Sequence, residues 1–143
     1  MRSVATCLAV LFLGLCGPTA RAADKPETAQ VAAAQVAAEA WLKVVDAGAY
    51  GASWDRAAKV FKEALTKQQW VQAVTGARAP LGGKLSRKVK SREFKGTLPG
   101  APDGKYVVIQ FETVFEHKAA AVETVTPMLD PDGVWRVSGY FIR

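Results

Sequence analysis

The spacing of apolar residues changes once along this chain, and that change constrains the fold more than any other feature. Between about residues 28 and 78, large apolar residues recur every three or four positions, as on one face of a helix. From Tyr106 onward they recur at every second position, as on one face of a strand. Helices followed by strands in separate blocks are typical of an α+β domain.

The first half of the chain predicts three helices, of which two lie before residue 62. The first spans roughly residues 28–47, with Thr28 as its N-cap and Gly48 as its C-terminal stop. A threonine hydroxyl can accept from free helix amides, and glycine readily adopts the left-handed conformation that ends a helix. A second, shorter helix is predicted to begin at the cap residue Ser53 and to include Phe61.

The third predicted helix begins at a capping box. Thr66 is followed three residues later by Gln69, a spacing at which each side chain can satisfy a backbone donor of the other. The helix is expected to reach about Arg78, where the Ala-Pro-Leu-Gly-Gly sequence at 79–83 stops it.

The second half predicts a meander of four antiparallel strands joined by hairpins. The strands are predicted at residues 84–95, 106–115, 121–128 and 134–142. Pro127 cannot donate to a ladder, so it implies a bulge, a strand end or a sheet edge. A bulge at Gly139 would change which aromatic side chains of the last strand point inward. The predicted fold is therefore α+β, with three N-terminal helices packed on one face of a four-stranded antiparallel sheet.

The first predicted strand has an unusually high density of positive charge. Half of its twelve residues are basic, namely Lys84, Arg87, Lys88, Lys90, Arg92 and Lys95. We interpret it as an exposed strand near an edge, where lysines discourage the addition of a foreign strand. The alternative is a basic surface that attracts anionic lipid head groups, in at most peripheral membrane contact, or an acidic partner protein.

The amino terminus predicts a signal peptide over residues 1–22. Arg2 supplies a positive charge, Val4 to Gly17 is apolar, and Ala20-Arg21-Ala22 has the small-x-small pattern of a cleavage site. The apolar run is shorter than the roughly 20 residues that span a bilayer, which argues against a membrane anchor. Lipidation at Cys16 is the minor alternative, because Leu15 is larger than the residue that normally precedes a lipidated cysteine.

Cleavage after residue 22 would leave one periplasmic domain without cysteine. The two cysteines, Cys7 and Cys16, both lie in the predicted signal, so neither a disulfide nor a thiolate ligand is expected. We expect a short linker at 23–27 and a single domain at 28–143. Loss of the two signal arginines lowers the net charge from +6 to +4, a mild excess that does not favour nucleic acid as the partner of an exported protein.

Four segments together resemble the DUF4019 family of small exported bacterial proteins. They are AEAWLKVVDAGAYGASWD at 38–55, KQQWVQAVTGARAPLG at 67–82, YVVIQFETVFEHKAAAVETVTPM at 106–128 and DGVWRVSGYFIR at 132–143. The order of helices before a curved sheet is similar to the NTF2-like, or SnoaL-like, cone. That superfamily resemblance implies isomerases, dehydratases and non-catalytic binding modules alike, so fold does not decide function.

A cone of this kind would enclose a pocket between the helices and the sheet. The aromatic residues that could line it are Trp41, Tyr50, Trp54, Trp70, Phe111, Trp135 and Tyr140. They form an apolar ligand cavity in one interpretation. In the other they simply fill the core, as tryptophan and tyrosine do in any small domain.

Catalysis by this chain would need a carboxylate whose pKa is shifted in that pocket. The candidates are Asp46, Asp55, Glu112 and Glu123. Asp46 and Asp55 could equally contact backbone donors or solvent near helix ends, and Glu112, in the middle of a strand, could lie on a solvated sheet face. His117 is the only histidine and falls at a predicted hairpin tip, so we predict neither a metal site nor a cofactor.

The sequence thus predicts an exported, non-catalytic binding module. It would take a small apolar ligand or an envelope protein through the pocket or the open sheet face, and a homodimer through the sheet is compatible with this. The alternative is an isomerase- or dehydratase-type enzyme that uses one pocket carboxylate.

Overall fold

The computed structural model of the protein describes residues 25–143. The predicted signal peptide, its two cysteines and the alternative of lipidation at Cys16 lie outside the described residues. No helix within 25–143 is long and apolar enough to cross a membrane.

Four helices and one 3-10 turn form the first half of the domain. They are α1 Glu27–Asp46, α2 Tyr50–Asp55, α3 Lys59–Ala64, α4 Lys67–Arg78 and the 3-10 turn Ala79–Leu81. The prediction of three helices was one too few, because the segment predicted as the second helix forms two short helices, α2 and α3. Ala58 breaks it: its backbone is extended and its amide donates to the Val137 carbonyl of the sheet at 2.8 Å.

The predicted start of each helix is only partly confirmed. The capping box of α4 is present, since Thr66 Oγ1 accepts from the Gln69 amide at 3.2 Å and Gln69 Oε1 accepts from the Thr66 amide at 2.8 Å. Thr28 is not a cap, because α1 begins at Glu27 after Pro26. Ser53 is not a cap either; it lies inside α2.

The predicted end of α1 at Gly48 is confirmed by its backbone. Gly48 has a φ of 74°. Its amide donates to the Val45 carbonyl at 2.9 Å, and the Ala49 amide donates to the Val44 carbonyl at 3.2 Å. This pair of bonds is the Schellman arrangement, which requires the left-handed residue that glycine supplies without strain.

The second half is the predicted meander. Its strands are β1 Lys84–Lys95, β2 Tyr106–Phe115, β3 Lys118–Leu129 and β4 Trp135–Ile142. They form one open antiparallel sheet in the order β1-β2-β3-β4, so β1 is an edge strand as predicted. Helix α1 packs across all four strands and α3 packs on β4.

One β-bulge decides which face the end of β4 presents. Thr126 pairs with Gly139 and Pro127 pairs with Val137, so Ser138 is an extra residue in β4. A bulge here was one of the three predicted consequences of the proline. Beyond the bulge Tyr140 packs against the core, whereas Phe141 is 59% exposed on the opposite face.

Candidate functional site

Six side chains meet between the helices and the sheet, and four of them carry charge. This buried charge cluster consists of Asp46, Arg78, Arg87, Thr113, Glu123 and Tyr140. The exposed fraction of its four charged side chains runs from 0% for Glu123 to 16% for Asp46. Two arginines balance two carboxylates, so the cluster is electrically neutral as a whole.

Two members of the cluster come from helix ends. Asp46 is the last residue of α1 and Arg78 the last residue of α4. Arg78 Nη2 donates to Asp46 Oδ1 at 2.8 Å, which ties the two helix ends together. The Arg78 guanidinium also lies 4.8 Å from the centre of the Phe115 ring, at a distance typical of a cation–π contact.

The other four members come from strands, and their register places them on the helix-facing side. Arg87 of β1 lies opposite the buried Thr113 of β2. Glu123 of β3 lies opposite a buried phenylalanine of β2. Tyr140 reaches the same side because of the bulge in β4. Directly opposed residues in a sheet share a face, so these side chains converge.

Glu123 is fully buried and surrounded by donors. Its Oε1 accepts from Thr113 Oγ1 at 2.6 Å and from Arg87 Nε at 2.7 Å. Its Oε2 accepts from Arg78 Nη1 at 3.3 Å and from the Tyr140 hydroxyl. A buried carboxylate is tolerated when it is paired and hydrogen-bonded in this way.

Asp46 is held by both arginines. Arg87 contacts it with two nitrogens, Nη1 to Oδ2 at 2.7 Å and Nη2 to Oδ1 at 2.9 Å. Burial by itself would raise the pKa of Asp46, but the hydrogen bonds from Arg87 and Arg78 outweigh burial and hold that pKa below its usual value. Asp46 is therefore more firmly ionised than an ordinary aspartate.

The basic and phenolic members of the cluster are also fixed in one protonation state. Burial opposes the charge of Arg87, yet its hydrogen bonds to Asp46 and Glu123 raise its pKa above the usual value. Burial and the adjacent Glu123 carboxylate raise the pKa of Tyr140 far above the usual value for a phenol. Arg87 thus keeps its charge and Tyr140 its hydroxyl proton across the physiological range.

This geometry gives the cluster a structural role. A general acid or base needs a pKa near the working pH and a substrate within hydrogen-bond reach. Asp46 has its pKa shifted away from neutrality, and both oxygens of Glu123 already accept from protein donors. The cluster ties the ends of α1 and α4 to all four strands.

The other two candidate carboxylates lie at the surface. Asp55 is 53% exposed and pairs with Lys67 at 2.7 Å. Glu112 is 44% exposed on the side of the sheet away from the helices, where it pairs with Lys88 at 2.8 Å. The hydrogen bond and charge of Lys88 lower the pKa of Glu112, so neither residue has the environment of a general acid.

The seven aromatic residues predicted to line a pocket pack together in the core. Trp41, Trp70 and Tyr140 contact one another, with ring centres 5.3–6.1 Å apart. Phe111 is buried in the same cluster, and Tyr50, Trp54 and Trp135 are partly buried against it.

The three indole N–H groups of the helical half all have backbone or hydroxyl acceptors. Trp41 Nε1 donates to the Ser53 carbonyl at 2.8 Å, Trp70 Nε1 to Ser53 Oγ at 2.9 Å, and Trp54 Nε1 to the Leu65 carbonyl at 3.0 Å. The rings and their polar tips therefore take up the interior as core residues do.

Strand β1 presents most of its basic residues to solvent, with one exception. Lys88 is 77% exposed and Lys95 is 40% exposed, each beside a glutamate. Lys84, Lys90 and Arg92 are also at the surface, and Arg92 donates to Gln35 of α1 at 2.8 Å. Arg87, predicted as part of the same basic surface, is only 11% exposed and belongs to the buried charge cluster.

Sequence reasoning did not identify Arg78 and Thr113 as site residues, and it did not predict that Arg87 and Glu123 are buried. Arg78 in a last helical turn suggests only a favourable interaction with the helix dipole. Alternation along β3, however, places Glu123 on the same face as Ala121 and Val125, and alternation along β2 places Thr113 with Phe111. A charged residue in phase with an apolar face is the signal that could have revealed the cluster.

The outer sheet face is the side of the sheet opposite α1, and α3 together with residues 98–101 covers the end of it that carries Tyr106 and Met128. It carries Val108, Gln110, Val114, Val122, Thr124 and Phe141, which alternate with the buried residues of their strands. A shallow hollow of about 540 Å³ lies on this side, between Lys88, Glu112 and Val122. Residues 25–143 contain no group of three or more histidine, cysteine, aspartate or glutamate side chains that could hold a metal ion.

Comparison with known families gives one match. The family model described as a protein of unknown function (DUF4019) matches residues 37–140. No curated protein and no solved structure matches the chain at a significant level.

Proposed function

Because the chain belongs to the DUF4019 family, a family described only as proteins of unknown function, we propose its role from its own structure: an exported, non-catalytic module that binds a protein partner over the outer sheet face. The observation that carries the proposal is the asymmetry of the sheet. Helix α1 packs across all four strands on one face, while on the other face Phe141 is 59% exposed. Phe141 shares this face with the partly exposed Val108, Val114 and Val122, and apolar residues grouped on an open sheet face favour an interaction surface.

The closed interior supports binding at the sheet rather than inside the domain. The aromatic residues of the core contact each other, so a ligand in that position would have to displace them. The two buried carboxylates are saturated with donors, which disfavours the isomerase- or dehydratase-type alternative. The helix-then-sheet order supports an NTF2-like arrangement, which a match to a solved NTF2-like structure would establish.

Export to the periplasm is part of the same proposal. The charged amino end, the apolar run and the small-x-small pattern before Ala23 support it. Intact mass spectrometry of the protein from a periplasmic fraction tests it, with a mature chain that begins at Ala23 as the expected result. A full-length chain in the cytoplasmic fraction would contradict export.

Site-specific photocrosslinking tests the binding surface. A photoreactive phenylalanine at position 141 is expected to give one discrete adduct in cells, while the same residue at the exposed position 68 of α4 gives none. In addition, Phe141→Asp is expected to abolish the adduct formed from position 124 on the same face. An adduct of twice the chain mass would identify the partner as a second copy. Equal labelling from positions 141 and 68 would refute the proposal.

A further inference from the structure

A second surface feature, separate from the outer sheet face, lies beside the first half of α1. This α1 groove runs between α1 and the turn that joins β3 to β4, and has a volume of about 480 Å³, within the range of small-molecule sites. Its lining includes Gln30 and Ala40, ten residues apart on α1, which corresponds to a length of about 15 Å.

The groove is apolar and its apolar residues are exposed. Among residues 25–143, four large hydrophobic side chains are exposed, and two of them, Val36 at 67% and Val134 at 46%, line this groove. Ala33, Ala37 and Trp135 complete its wall. Exposed apolar residues that gather in one concave site indicate a bound apolar group more strongly than scattered ones do.

The charge of the groove is one-sided. Among residues 25–143, its lining contains two charged side chains, Lys25 and Lys105, and no carboxylate. Lys25 lies two residues before α1, next to Gln30, whose Nε2 donates to the Lys25 carbonyl at 2.6 Å. Lys25 therefore places a positive charge at the amino-terminal end of the groove, and the groove residue at the other end of α1 is the apolar Ala40.

One buried acceptor at the charged end has no donor. Gln30 is 9% exposed, and its Oε1 makes no hydrogen bond. Buried polar atoms are nearly always paired, so an unpaired one in the wall of a groove points to a missing partner. Because Gln30 lines the groove, a ligand hydroxyl bound beside it would supply the missing donor.

From these observations we propose that the α1 groove binds a single-chain anionic amphiphile with a hydroxyl near its head group. The apolar chain lies along Ala33, Val36 and Val134, the anionic head lies near Lys25, and the hydroxyl donates to Gln30 Oε1. A medium-chain 3-hydroxy fatty acid has this chemistry. The inference does not depend on the protein partner proposed above.

Calorimetric titration with 3-hydroxydodecanoate, below its micelle concentration, tests the site. The protein is used as isolated, with its amino terminus read by mass spectrometry. We expect one saturable site. The affinity for 3-hydroxydodecanoate should be about three- to tenfold higher than for dodecanoate, because dodecanoate lacks the hydroxyl group and therefore one hydrogen bond. Dodecylammonium is expected to bind at least tenfold more weakly than dodecanoate. Equal affinities in either comparison, or no saturable binding, would overturn the proposal.

A matched pair of variants localises the binding. Ala33→Glu places a carboxylate inside the groove, whereas Ala32→Glu makes the same change one residue away, at an exposed position outside the groove lining. We expect at least a tenfold loss of affinity for Ala33→Glu and none for Ala32→Glu, with equal thermal unfolding temperatures for the two. Equal affinity of the two variants would assign the amphiphile to another surface and refute the site.

Discussion

At the scale of single residues, Glu123 shows how this domain accommodates charge in its interior. The carboxylate has no solvent contact, and it accepts from Arg78, Arg87, Thr113 and Tyr140. Such an arrangement need not be more stable than an apolar core, but the loss of one partner leaves another charge buried and unpaired. Its members are therefore interdependent.

Glu123→Gln is expected to lower the free energy of unfolding by about 3–5 kcal/mol, because the arginines lose one of their two counter-charges. Glu112→Gln is the matched control: the same change on the neighbouring strand removes an exposed pair and should cost at most about 1 kcal/mol. Urea denaturation of both variants measures the difference. Similar losses in the two would show that the cluster is not the buried, coupled unit described above.

Tyr140 gives the cluster a pH dependence at the alkaline end. Its pKa is raised in the folded protein by burial and by Glu123, above the value of about 10 that it has in an unfolded chain. The stabilisation is therefore complete below about pH 10 and is lost as the pH rises further. Burial also raises the pKa of Tyr106, so that residue contributes in the same direction.

Tyr140→Phe is consequently expected to lose less stability between pH 9 and pH 11 than the unchanged protein does, although it is less stable at pH 7 by about 1–3 kcal/mol. Urea denaturation across this pH range measures both effects. Parallel pH profiles for the two proteins would exclude Tyr140 as the origin of the alkaline loss.

At the scale of helices and strands, local signals were only partly reliable, since the predicted caps at Thr28 and Ser53 are not caps in the structure. The capping box, the glycine stop of α1 and the strand alternation all depend on neighbouring residues, and all are present. The split of the second predicted helix was not foreseeable, because it depends on a hydrogen bond from Ala58 to Val137, seventy-nine positions later. The contact that decides it exists only after the chain has folded.

Thr28 and Thr66 both lie in sequences typical of an N-cap, but only Thr66 is a cap in the structure. Thr66→Ala is expected to destabilise the protein by about 1 kcal/mol, since it removes the acceptor for the Gln69 amide. Thr28→Ala should change stability by no more than about 0.5 kcal/mol, because Thr28 is an exposed helical residue of α1. Thermal or urea denaturation distinguishes them. A larger loss for Thr28→Ala would mean that α1 begins later than described.

At the scale of the whole molecule, the sheet divides the protein into a packed side and an open side. Leu42 and Val45 of α1 share one buried cluster with Ile109, Phe111 and Val125 of the sheet. On the opposite side the strands present mostly partly exposed residues, apart from Tyr106 and Met128, which are buried against Val60 of α3.

The same substitution, phenylalanine to alanine, is expected to lower the free energy of unfolding far more on the packed face than on the outer sheet face. Phe111→Ala removes a side chain that is 1% exposed, and should cost about 3–5 kcal/mol through lost burial and a cavity. Phe141→Ala removes one that is 59% exposed, and should stay within about 0.5 kcal/mol in the isolated protein. Urea denaturation measures both. A large loss for Phe141→Ala in a monomeric sample would contradict an open outer face.

The sequence by itself determined the class of fold, the strand bounds to within three residues, and membership of the family. The fold class and the strand bounds follow from periodicity, caps and turns, which are properties of short segments, whereas the family follows from the resemblance of four longer segments. Only the tertiary structure decided that Arg87 is buried although Lys88 is exposed, that Tyr140 and not Phe141 enters the core, and that the aromatic residues contact each other. Burial of a charge depends on whether distant partners arrive to neutralise it, and no local pattern contains that information.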